Sequence, residues 1–204
     1  MNNLPLLEIL TDKNVINNIF SELMSDDIDE CLNKMNAKYN KFLLSSFDTI
    51  LSNDDKRIAL LSDSYFMKSQ ESKYINFFSE IFEANNKCCI VEVNLTNFDY
   101  DNLLSYLNIG IDIRFQYILL HQYINFFNNK NMQKRYFYIK DKDLLTLFVI
   151  FSLREQSLSQ YFLFPRDEIC IFSNYDCLLP IFFKNDNIVK NYREITEKLE
   201  IYLI

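Results

Sequence analysis

The chain has 204 residues, of which 49% are hydrophobic and 16% aromatic; this is ample apolar material for a dry core and argues against an intrinsically disordered protein. Its 21 basic and 28 acidic side chains leave a formal net charge of −7, which opposes a polyanion at long range and argues against a general nucleic-acid binder. Cys31, Cys88, Cys89, Cys170 and Cys177 are odd in number and have no Cys-x-x-Cys spacing, so they read as reduced, buried thiols and not as a disulfide framework.

The first residues, Met-Asn-Asn-Leu-Pro-Leu-Leu-Glu, lack a basic region and read as an irregular start, not a signal peptide. Thr11 or Asp12 then caps a predicted helix carrying Ile16, Ile19, Phe20, Leu23 and Met24. A second helix is expected from Ser25–Asp27 to Ile50, because Cys31, Leu32, Met35, Tyr39, Phe42, Leu43 and Phe47 recur at helical spacing. Together these predict an N-terminal helical hairpin, with residues 1–54 as a helical subdomain.

After the turn at Asn53-Asp54-Asp55, Lys56 to Leu61 reads as a first buried strand. Ser69 to Asn85 reads as a helix with Tyr74, Ile75, Phe78, Ile81 and Phe82 on one face, and Cys88 to Leu95 as a strand. Strand, helix and strand in that order suggest a parallel crossover, an antiparallel arrangement remaining open. A short helix follows from Asn97–Asp101 through Leu107 to Gly110, the only glycine. Residues 112–129 fit both periods, with length favouring a helix; Arg135 to Ile139 reads as a strand. Asp141 or Asp143 caps a very apolar helix, Leu144 to Arg154, expected to be buried against the sheet and too short to cross a bilayer.

Tyr161–Phe164, Ile169–Phe172 and Leu178–Phe183 are apolar runs separated by Pro-Arg-Asp-Glu and Ser-Asn-Tyr-Asp, a strand meander whose last member Pro180 marks as an edge or bulged strand. Asn185 or Asp186 then caps a final amphipathic helix with Ile188, Val189, Tyr192, Ile195, Leu199 and Leu203. With no repeat or linker, residues 1–204 read as a single α+β domain: helices packed on a mixed sheet of about five or six strands.

Chemistry is sparse. His121 sits in Leu-Leu-His-Gln-Tyr without a second His, Cys or carboxylate at ligand spacing, and one glycine cannot build a phosphate-cradling loop. Neither a Gly-x-Ser-x-Gly elbow nor a Cys-His pair is evident. Glu92 with Asp63 upstream is the best start for a carboxylate metal site, but it reads more simply as an acid on a solvated strand face or paired with a lysine. Asp167-Glu168 and Asp99/Asp101 lie where turns and helix starts favour acids. Arg135-Tyr136-Phe137-Tyr138 lacks the positive field of a base-stacking platform. No catalytic, cofactor-binding or metal-binding residue is assigned.

An acidic α+β protein that closes with Tyr161-Phe162-Leu163-Phe164-Pro165, Ile181-Phe182-Phe183 and a last helix resembles the immunity proteins of bacterial polymorphic-toxin and contact-dependent inhibition systems. The resemblance implies a non-catalytic cytoplasmic protein that binds and blocks one cognate toxin domain, such as a basic nuclease, with no nucleic-acid or membrane partner. Under it, contacts are expected from acids and aromatics at turns: Asp167, Glu168, Tyr175 and Asp176 first, then Asp26, Asp27, Asp29 and Glu30. Replacing Asp167, Glu168 and Asp176 together by Lys is then expected to abolish binding and spare the melting temperature. The alternatives are an enzyme with an unfamiliar carboxylate site, which an acidic pocket at Glu92 would favour, and an adaptor subunit, which a large exposed apolar patch would favour.

Overall fold

The computed structural model describes residues 4–25, 27–52, 54–62, 64–93, 100–127, 135–154, 158–174 and 177–204. Its strands are β1 (Glu8–Ile9), β2 (Asn40–Ser45), β3 (Cys89–Val93), β4 (Arg135–Ile139), β5 (Tyr161–Phe164), β6 (Ile169–Phe172), β7 (Leu178–Phe183) and β8 (Tyr202–Leu203). They form one eight-stranded sheet in the order β1-β4-β3-β5-β6-β7-β2-β8, and every pairing is antiparallel. The helices are α1 (Asn14–Ile19), α2 (Ile28–Lys38), α3 (Ser64–Ala84), α4 (Tyr100–Asn108), α5 (Ile113–Gln122), α6 (Lys142–Leu153) and α7 (Val189–Lys198). The class is α+β, with more strands than expected and none of them parallel.

Both faces of the sheet are covered, which explains why its strands read as nearly continuous apolar runs. Alternation sends Val91, Phe137, Phe162, Ile171 and Ile181 to one face, where they pack with Tyr74, Phe78 and Ile81 of α3, Leu119 of α5 and Phe148 of α6. The opposite alternants Ile90, Leu163, Cys170, Phe172 and Phe182 pack with Ile16, Phe20, Cys31 and Met35 around α1 and α2. The very apolar α6 is buried over most of its length and is started by Asp141, whose carboxylate accepts from the amides of Asp143 and Leu144. No helix among the described residues is long and apolar enough to cross a membrane. The meander forms as expected, and none of the five cysteines is in a disulfide.

Four expectations are corrected. The second helix stops at Lys38: Tyr39 is extended, and residues 40–45 become β2, laddered to β7 over six positions and joined to β8. The N-terminal hairpin therefore does not form, because this strand is worth more inside the sheet than as a continued helix. Lys56–Ser62 is a 3-10 segment, so the parallel crossover is absent. Arg57 ties it to Asp55 and Asp48, and half-buried Ile58 and Leu61 lie three residues apart as that geometry requires. Pro180 is on an interior strand, but the β6–β7 ladder ends at Ile171↔Ile181, so Pro180 faces only Leu43 of β2, where a missing donor is tolerated. The final helix ends at Lys198; Glu200 takes a left-handed turn with φ 53°, and Leu203 enters β8.

Left-handed backbone recurs without glycine, at Asn86, Lys87, Glu168, Cys177 and Glu200. Asn tolerates this region and lysine does not. Lys87 lies just past α3 with φ 56°, its amide bonded to Phe82 O at 2.9 Å, the position where helices prefer glycine. Lys87→Gly is expected to raise stability by up to about 1 kcal/mol, and Lys87→Val to lower it, read from urea midpoints by circular dichroism.

Candidate functional site

The acids expected at the meander's first turn are committed inside the protein. Asp167 Oδ2 accepts from the Tyr192 hydroxyl at 2.6 Å and from Asn85 Nδ2 at 3.0 Å, while its amide donates to Asn85 Oδ1 at 3.0 Å. Asn85 and Tyr192 are buried, so this cluster clamps the β5–β6 turn to the end of α3 and to α7. Burial, and next the carboxylate beside it, push the Tyr192 phenol far above its usual range. Glu168 pairs with Lys184 at 2.8 Å, and Lys184 also donates to Asn18 O at 3.1 Å. Both acids therefore already have partners within the protein. Tyr175, Asp176 and Asp26 lie outside the described residues.

The second acidic group starts α2. Asp27 accepts from the amides of Asp29 and Glu30 at 2.9 and 3.2 Å, the capping role its position favours. Glu30 bonds Ser25 and Lys34, the Lys34 hydrogen bond chiefly holding its carboxyl below the usual range; Asp29 is exposed. Among the described residues the fold does not join the two groups. Helix α2 is about 16 Å long, and its far end leads into Asn40, opposite Phe183 and so beside Lys184.

The other candidates are also placed. Glu92 is 2% exposed on the face covered by α1 and α2, its β4 neighbour being Tyr136, so the solvated-face reading is corrected. The alternation puts it on the side of Ile90, under helices that close it off. His121 Nδ1 lies 3.3 Å from Pro5 O, and the fully buried Gln122 bonds Pro5 O at 2.8 Å and the Leu7 amide at 3.0 Å; both residues fasten the N-terminal segment to α5. Burial pushes the Cys89 and Cys170 thiols well up, away from a nucleophilic thiolate. Among the described residues no three His, Cys, Asp or Glu side chains are grouped to hold a metal.

Two features escape the sequence reading. On α4, α5 and the π-turn that follows, Tyr100, Leu104, Ile113, Tyr117 and Ile124 are 63%, 38%, 60%, 57% and 73% exposed. Their neighbours Leu103, Ile118 and Leu119 fill the core, and a four-residue connection, 109–112, joins the two helices. Arg114 of this face is held by Asp143, Asp112 caps α5, and Asp101 is an exposed acid. The outer face of α7, in contrast, is built of Lys190, Arg193, Glu194, Glu197 and Lys198. Outward pairs at Tyr100/Leu104 and Ile113/Tyr117, each four apart, are the only sequence signal, and beside inward leucines they read as core.

The second feature is a pair of clefts at the end of the sheet that meet at Cys177. One, of about 230 Å³, is lined by Phe47, Ile50, Leu51, Ile58, Leu61 and Leu178 with Ser45 and Thr49. The other, of about 250 Å³, is lined by Ser64, Met67, Lys68, Glu71, Leu153 and Arg154 with Ile109. In it Arg154 grips Glu71 through two bonds of 2.6 and 2.7 Å and donates to Ile109 O at 2.9 Å. The chain matches no protein-family model, no curated protein and no solved structure.

Proposed function

We propose that this is a non-catalytic binding protein that holds and blocks one basic protein partner, in the manner of an immunity protein against a cognate toxin domain, with α4 and α5 as the contact face. The supporting observation is the five large apolar side chains of α4, α5 and the turn after it, 38–73% exposed, with Arg114 among them already paired to Asp143. Aromatic and aliphatic anchors of this kind supply most of the energy of protein interfaces. The net charge of −7 steers a basic partner toward the surface and opposes a nucleic acid. The protein acts in the cytoplasm, and neither a nucleic acid nor a membrane is its target.

The test is co-expression with the C-terminal segment of a secreted protein encoded beside it. A 1:1 complex that protects the cell is expected. Tyr117→Arg with Ile124→Glu should weaken Kd by about 100-fold, the effect of losing hot-spot anchors, with an unchanged melting curve. Full affinity in that double variant would remove this face from the reading, and failure to bind or protect would remove the reading itself.

The same apolar face favours an adaptor subunit as the second reading. Light scattering on the isolated protein separates the two. A stable oligomer that Ile124→Glu converts to monomers would establish the adaptor and displace the blocking role.

A further inference from the structure

We draw no further inference here: the strongest candidate, the apolar face of β7, β2 and β8 where half-buried Leu43, Leu178 and Pro180 lie beside exposed Tyr202 and run into the cleft lined by Phe47 and Leu61, carries none because nothing in the structure shows what covers it.

Discussion

Asp167→Lys is expected to cost about 2–4 kcal/mol of folding stability, because Asp167 is itself half-buried but leaves two buried donors without an acceptor, at about 1–3 kcal/mol each. The substitution deletes the acceptor of the Tyr192 hydroxyl, at 2.6 Å, and of Asn85 Nδ2, at 3.0 Å. It also places an ammonium group beside two buried donors. For a chain of this size the melting temperature should fall by about 10 °C. Asp167→Asn, which keeps an acceptor, should cost about 1–2 kcal/mol. Glu168→Lys should cost less than about 1 kcal/mol, because the Glu168–Lys184 pair is 38% and 33% exposed and surface pairs contribute little. Urea denaturation followed by circular dichroism separates these cases; an Asp167→Lys protein melting within about 2 °C of the parent would refute the clamp. The triple replacement by Lys, expected from sequence to spare the fold, instead mixes a folding defect with any binding defect.

That revision shows where the sequence was legible. The meander could be read because Tyr161–Phe164, Ile169–Phe172 and Leu178–Phe183 are β-rich runs bounded by turn formers, and burial on both faces enforces the same pattern. Helix α3 could be read from its period, though it starts at Ser64 and not at Ser69, and α6 from its apolar run and the Asp141 cap. What could not be read were elements decided by distant partners. Residues 40–45 carry a helical stripe as good as that of α2, and only the ladder to β7 makes them a strand. The two edge strands are two residues each and have no periodicity. Scarcity of glycine hid further boundaries: Lys87, Cys177 and Glu200 take left-handed backbone that a sequence normally announces with Gly. The site was harder still. An acid at a turn looks alike whether it meets solvent or, as at Asp167, a buried tyrosine 25 residues later. Tyr117 and Ile124 look like the core residues Ile118 and Leu119, because helical period fixes which residues share a face and not which face is covered.

Alkali is expected to unfold the protein steeply. Tyr74, Tyr161 and Tyr192 are 0%, 1% and 3% exposed, and Cys89 and Cys170 are both 0% exposed. Burial is the first cause raising all five in the folded state, above ordinary values of 10.0 for the phenols and 9.0 for the thiols. Raised folded values fix the sign. Below the unfolded values both states hold their protons and stability is complete; as pH rises past them the unfolded chain releases protons that the folded chain retains. Each group then removes about 1.4 kcal/mol per pH unit until its own folded value is reached. The thiols act first, from about pH 9, and the phenols join from about pH 10, giving a combined slope near 7 kcal/mol per unit. A domain stable by 5–15 kcal/mol therefore unfolds within roughly two units above that onset. Urea midpoints should be flat near neutrality and fall sharply above about pH 9, with the buried phenols ionising only as the circular dichroism signal is lost. Tyr161→Phe isolates one contributor, since it removes the buried hydroxyl and keeps the ring. That variant should match the parent at neutral pH within about 1 kcal/mol and show a limb shallower by about 1.4 kcal/mol per unit. Complete ionisation of every tyrosine near pH 10 with the fold intact would refute the dry, two-faced core from which the prediction is drawn.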